Sequence, residues 1–344
     1  VEKMINAIYR LVAPRKFQIE YENIDIHNSE VIVRPTYLSI CNADQRYYQG
    51  LRDPKILDNK LPMALIHEAI GEVVYDKSGK FKVGDRVVIL PNMPPYYDEV
   101  IAENYIKGTK FRSSGCDGFL QEYIVTDVDR ILLLPDIIDN HVAAFLELIS
   151  VAVDAIYRFE QYSHARKEII GVWGDGNLGY ITALMLKKIY IDSKIVVFGK
   201  NADKLIDFSF ADESYLITDI PDNILVDHAF ECVGGSSSSA AINQIIDLIE
   251  PEGTMSIMGV SEYEVGINTR LVLEKGITII GNSRSSHLNF ERAIDILSKN
   301  PDALEHLERL VSRVVEVSSI QQIEEAFEND IKKSYGKTIL RWNT

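Results

Sequence analysis

The chain has 344 residues with 36 Lys+Arg against 51 Asp+Glu, a formal net charge of −15. Its 46% hydrophobic and 25% charged residues exclude disordered and collagen-like chains, and the length predicts two domains. The acidic balance and the lack of a basic tract argue against a nucleic-acid partner, and no apolar run approaches the roughly 20 residues of a membrane span.

No signal peptide is expected, because Tyr9-Arg10 interrupt the first apolar stretch, Ala7–Ile8; Met4 reads as the natural start. Cys41, Cys116 and Cys232 cannot build a disulfide framework in a chain of this size, so a reducing, cytoplasmic setting is expected. Residues 4–140 read as short strands and turns, with β-branched segments at Val31–Val33, Gly71–Tyr75, Arg86–Leu90 and Tyr123–Val125. The proline-rich, acidic stretch Pro91–Glu103 breaks that pattern and is expected to form a surface lobe.

From about residue 147 the rhythm changes. A helix is predicted over Glu147–Glu160, a strand over Glu168–Trp173 and a second helix over Asn177–Tyr190, with Leu178, Ile181, Leu184, Met185 and Ile189 on helical spacing. Strands recur at Lys194–Phe198, Tyr215–Ile217, Val226–Glu231, Thr254–Met258 and Ile277–Gly281. Six strands separated by connecting segments predict an α/β, doubly wound parallel sheet. Beyond Leu288, helices and one strand, Lys337–Trp342, are expected to pack back on the first domain. The expected division is therefore 1–146 with 288–344, mainly β, and 147–287, dinucleotide-binding.

The first strand of that series runs into Gly174-Asp175-Gly176-Asn177-Leu178-Gly179 and then a helix. Gly174 permits a tight turn, Gly176 lets the backbone approach a pyrophosphate, and Gly179 allows close helix–strand packing. Asn177 and Leu178 open the helix whose N-terminus carries partial positive charge. About 20 residues on, NAD-binding folds place a carboxylate that accepts from the ribose 2′-hydroxyl. Here Gly199 stands there, followed by Lys200. A carboxylate would repel a 2′-phosphate and these two residues would not, so NADPH is expected over NADH. Converting Gly199 to Asp is expected to shift preference toward NADH.

The first domain carries Cys41 in Ser39-Ile40-Cys41-Asn42-Ala43-Asp44, His67-Glu68 in Leu65-Ile66-His67-Glu68-Ala69, and Glu147 at the domain junction. With Val83-Gly84-Asp85-Arg86-Val87, Asp117-Gly118-Phe119 and Glu231-Cys232-Val233-Gly234-Gly235, these residues resemble the zinc-dependent medium-chain alcohol dehydrogenase family. The resemblance implies a GroES-like catalytic domain beside a Rossmann domain. It also implies one catalytic zinc held by Cys41 and His67, with Glu68 and Glu147 as further ligands. A thiolate, an imidazole and carboxylates with one position open suit catalytic Zn²⁺. Three departures stand out. Pro91–Gly115 lacks the cysteines of a structural zinc site, so none is expected; Ile66 replaces a glycine; and Ala43 replaces a proton-relaying Ser or Thr.

Within that family, Cys41-Asn42-Ala43-Asp44-Gln45-Arg46-Tyr47-Tyr48, Phe111-Arg112-Ser113-Ser114-Gly115 and Asn268-Thr269-Arg270-Leu271 resemble the ribulose-5-phosphate reductase branch. The branch implies NADPH-dependent reduction of D-ribulose 5-phosphate to D-ribitol 5-phosphate, feeding CDP-ribitol synthesis for teichoic acids or capsules. A phosphorylated ketose suits guanidinium forks, and Arg46, Arg112 and Arg284, with Tyr47, are the candidate substrate residues. Lys337 resembles a family lysine near the adenosine ribose of the cofactor. A homodimer is implied, and association with the cytidylyltransferase using ribitol 5-phosphate follows from pathway logic. The rival reading is an NAD-dependent zinc polyol dehydrogenase of the sorbitol or xylitol type.

Overall fold

The computed structural model describes residues 3–333 and 335–344, which form two compact units, 1–147 with 285–344 and 148–284. The first is built on a seven-stranded sheet. Its strands run in the order Ile131–Leu133, Arg86–Ile89, Glu68–Asp76, Val31–Ser39, Lys337–Trp342, Val311–Val317, with Ile124–Thr126 also pairing to Val31–Ser39. Apolar side chains of these strands, including Val31, Val33, Leu38, Val73, Val87, Ile89 and Leu340, are buried in one cluster. Helix Ile320–Lys332 joins that cluster through Ile323, Ala326 and Phe327, positions three and four residues apart on one helical face. Ser319 caps the helix by accepting from the Gln322 amide at 3.3 Å.

Two features of this unit differ from the sequence expectation. The tail contributes two strands rather than one: Val311–Val317 pairs in parallel with Lys337–Trp342, which in turn pairs antiparallel with Val31–Ser39. The missed strand carries Arg313 and Glu316, whose charges mask the β-branched run Val314-Val315. A long hairpin, Lys3–Ala13 with Lys16–Asp25, was likewise hidden by charges. There Arg10 donates to Asp117 at 2.7 Å and Glu22 at 2.7 Å and pairs with Glu20, so side chains that read as solvated stitch the hairpin to a distant loop.

The second unit is a six-stranded, fully parallel sheet. Its order is Glu213–Leu216, Lys194–Gly199, Ile169–Trp173, His228–Glu231, Thr254–Ile257, Thr278–Gly281. Numbered along the chain, that is 3-2-1-4-5-6, the dinucleotide-binding order. The central strands read as apolar runs because both faces are covered, and Ile170, Val172, Val197, Phe198 and Phe230 are buried. Helix Asn177–Ile189 follows the first strand directly, and Gly176 is its N-cap residue.

Candidate active site

Cys41 sits at the N-cap of helix Asn42–Tyr48, just past the end of strand Val31–Ser39, and His67 immediately precedes strand Glu68–Asp76. The pairing of those two strands places Ser39 opposite Glu68, so residues far apart in sequence meet at one sheet end. Ligand atoms of Cys41, His67 and Glu68 all lie within 4.8 Å of one another. His67 and Glu68 are buried and Cys41 is half-buried. A thiolate, an imidazole and a carboxylate converging like this fit a catalytic Zn²⁺. Glu147 stands beside the cluster, its Oε2 3.8 Å from His67 Nε2.

Asp44, which sequence reasoning passed over, organises the cluster. Its buried carboxylate accepts from the Cys41 amide at 3.0 Å, the Ile66 amide at 2.9 Å and the Ser113 hydroxyl at 2.8 Å. Burial would raise its carboxyl, but His67, Ser113 and the Cys41 amide hold it below the ordinary carboxylate range. His67 Nδ1 lies 3.6 Å from Asp44 Oδ1. Burial acts to lower this histidine, and the charge of Asp44 with its hydrogen bonding, then Cys41, hold it well above its ordinary value. A carboxylate behind a ligating imidazole fixes the ring and raises its basicity as a metal donor.

Ile66, the residue that departs from the family glycine, adopts φ 72°. For a β-branched residue this left-handed conformation is an outlier. It is fixed from both sides: the Ile66 amide donates to Asp44, and its carbonyl accepts from the Phe119 amide at 2.7 Å. Gly118 makes this approach possible, since a Cβ there would lie 2.3 Å from the Ile66 carbonyl oxygen. The Asp117-Gly118-Phe119 motif is thus a clamp on the backbone that presents His67.

Lys337 lies buried in the first unit. The residue is 1% exposed, and its ammonium donates to Glu68 Oε1 at 2.9 Å and to the Ile40 carbonyl at 3.1 Å. Both partners are in the first unit, and Glu68 belongs to the candidate metal cluster. Burial acts to lower this lysine, but Glu68 first, then Cys41, keep it above its ordinary value. Glu68 Oε2 lies 2.8 Å from the same ammonium, so both carboxylate oxygens face Lys337. Burial pushes Glu147 up to about 7; His67 and Lys337 oppose this and Glu68 adds to it.

In the second unit the glycine loop matches its chemistry. Gly174 has φ 128°, and a Cβ on Gly179 would lie 2.0 Å from the Gly174 carbonyl oxygen. At Gly176 a Cβ would meet nothing within 4 Å, the open ground over which a pyrophosphate can approach the helix N-terminus. Lys200 is exposed at the end of strand Lys194–Gly199. Gly199 has a packing reason as well as an electrostatic one: a Cβ there would lie 2.7 Å from Leu205 Cδ2 and 2.9 Å from Asp175 Cβ. The Gly199 to Asp conversion would therefore disturb the turn itself and cannot report on phosphate repulsion alone.

The substrate candidates separate. Arg46 lies half-buried on helix Asn42–Tyr48, and burial, then the nearby charge of Arg52, hold its guanidinium below the ordinary value. Arg52, missed in the sequence, stacks 4.7 Å from the centre of the Tyr47 ring. Tyr47 is itself a core side chain, 1% exposed, so it supports Arg52 from beneath. Arg112 is buried, donates to the Val125 carbonyl at 2.8 Å and faces the Phe119 ring. Arg284 follows strand Thr278–Gly281 at φ 62°.

Comparison with known proteins agrees with this architecture. The alcohol dehydrogenase GroES-like domain model matches residues 27–136, and the glucose dehydrogenase C-terminus model matches residues 140–336. A ribulose-5-phosphate reductase of Bacillus spizizenii is 54% identical, with 98% of this chain and 99% of that protein covered. One from Streptococcus pneumoniae is 43% identical, with 99% and 98% covered. A crystal structure of S. aureus TarJ in complex with NADPH superposes with a TM-score of 0.89 at 48% identity, covering 99% of this chain and all of that one. The chain belongs to the zinc-dependent medium-chain alcohol dehydrogenase family, within which it resembles the ribulose-5-phosphate reductases along essentially its whole length.

Proposed function

We propose that this protein reduces D-ribulose 5-phosphate to D-ribitol 5-phosphate with NADPH at a single catalytic zinc, supplying ribitol phosphate for CDP-ribitol synthesis. The observation that carries the reading is the buried Cys41–His67–Glu68 cluster in a chain that matches ribulose-5-phosphate reductases from end to end. Cys41 and His67 would hold the ion, with Glu68 in reach. When bound, the zinc polarises the C2 carbonyl as a Lewis acid and NADPH supplies the hydride.

The protein's own residues set the geometry and the proton. Asp44 orients His67, and Lys337 restrains Glu68. Ala43 has no hydroxyl to relay a proton to the C2 oxygen, and Glu147, whose Oε2 lies 3.8 Å from His67 Nε2, is the carboxyl placed to take part in proton transfer. Glu147→Gln should lower kcat by about 10²-fold, the usual scale of general-acid assistance, with zinc quantified on the same sample because Glu147 is also a candidate ligand. Full activity with metal in place would remove Glu147 from the proton path.

Arg46, with Arg52 beside it, and Arg284 are the candidates for the substrate phosphate. No helix among the described residues is long and apolar enough to cross a membrane, and a cytoplasmic homodimer, associating with the cytidylyltransferase that consumes ribitol 5-phosphate, accords with this chemistry. The test is the initial rate of NADPH oxidation with D-ribulose 5-phosphate, using ribulose and NADH as controls and quantifying zinc in the same sample. Turnover that requires NADPH and the phosphate supports the reading; reaction only of neutral polyols with NAD⁺ overturns it. In the same assay Arg46→Ala or Arg284→Ala should reduce kcat/KM for ribulose 5-phosphate by about 10–100-fold and for ribulose far less. Equal losses on both substrates would end the phosphate role.

A further inference from the structure

Asp175 occupies the first variable position of the glycine loop, where its side chain owes nothing to the pyrophosphate contact that the glycines explain. Its Oδ2 accepts from the Lys200 amide at 2.7 Å, the Asn201 amide at 2.7 Å and the Asn201 side-chain amide at 3.1 Å. Those three donors belong to the turn that leaves strand Lys194–Gly199, the turn that meets the adenosine ribose in this fold. A Cβ on Gly199 would lie 3.1 Å from the same carboxylate oxygen. The space that a strand-end carboxylate fills in an NAD-binding protein is therefore taken by Asp175, reached from the other loop.

Asp175 does not act as that carboxylate does. An NAD-type residue offers its oxygens to the ribose hydroxyls, whereas here Oδ2 is engaged by three donors of the turn. Charge-assisted bonds of this kind fix the backbone of residues 199–201 and draw the negative charge toward the protein. Lys200 is exposed just past the end of the strand.

We propose that Asp175 is a positioning residue for cofactor selection: it locks the turn Gly199–Asn201 so that Lys200 and its neighbours read a 2′-phosphorylated adenosine. The proposal rests on the NADPH reading given above and names the residue that enforces it. Because the turn touches only the adenosine end, its loss weakens binding without altering hydride transfer from the nicotinamide.

The experiment compares wild type, Asp175→Ala and Asp175→Asn with NADPH and NADH, and measures inhibition by 2′,5′-ADP, which carries the 2′-phosphate but no nicotinamide. The expected result for Asp175→Ala is a KM for NADPH raised about tenfold, kcat within about twofold of wild type, a nearly unchanged KM for NADH, and 2′,5′-ADP inhibition weakened by the same factor as NADPH. Asp175→Asn keeps an acceptor oxygen for both backbone amides and should retain most of the preference; it also serves if the alanine variant folds poorly. Equal losses for both cofactors would show general damage to the glycine loop and overturn the proposal. So would an unchanged KM for NADPH, or tighter NADPH binding, which would mean that the carboxylate repels the phosphate. Wild-type protein with no preference for NADPH would instead remove the parent reading, a result visible before any variant is made.

Discussion

Cys41→Ser should leave a protein that still binds NADPH but carries little zinc and has lost on the order of 10³ in kcat/KM, the scale seen when a principal stabiliser of developing negative charge is removed. Cys41 supplies the one sulfur in the cluster, and it sits where a helix begins and Asp44 accepts from its amide. Serine keeps the backbone and that amide bond, so the substitution removes the metal donor and little else. The measurement is zinc content with NADPH binding and turnover on one preparation. Retained NADPH binding shows that the dinucleotide unit is intact, so loss of turnover then reports on the metal site. A Cys41→Ser protein with full zinc and full activity would show that the cluster is not the catalytic centre.

Lys337→Met should cost about 3–5 kcal/mol of stability, because it strands the fully buried Glu68 carboxylate without its ammonium. For a unit of this size the loss corresponds to a midpoint lowered on the order of 10 °C in thermal unfolding. Pairing the change with Glu68→Gln removes both charges and should recover much of the loss, since a neutral pair has no such desolvation cost. The cycle of the two single variants and the double variant therefore gives the coupling directly. A Lys337→Met protein as stable as the parent would show that the ion pair is not formed in solution.

The parts legible in the sequence are those whose chemistry is local. The glycine loop could be read because strand, turn and helix follow one another without interruption from Ile169 to Ile189. Six short strands separated by connecting segments announced the parallel sheet for the same reason. Cys41 and His67-Glu68 could be singled out only through the resemblance, because a lone cysteine and a His-Glu pair have little meaning until a sheet brings them together. The hairpin at the N-terminus and strand Val311–Val317 escaped because their charges lie on exposed edges or in ion pairs, which breaks simple alternation.

What the sequence alone determined, then, is the two-part architecture, the glycine loop and, with the resemblance, the residue types of the candidate metal cluster. These depend on hydrophobic period, on glycine at positions of close approach, and on the donor chemistry of thiolate and imidazole. The tertiary structure decided the partners of the charged residues. Lys337 and Glu68 are 269 positions apart, Arg10 and Asp117 are 107 apart, and Asp175 meets Asn201 across 26. Arg112 and Arg46 look alike as isolated arginines in a chain, yet one is buried against carbonyls and the other lies half-buried beside Arg52. A side chain's charge is written in its residue type, but the energy of that charge depends on burial and on what stands within a few ångströms, and only the folded chain sets those.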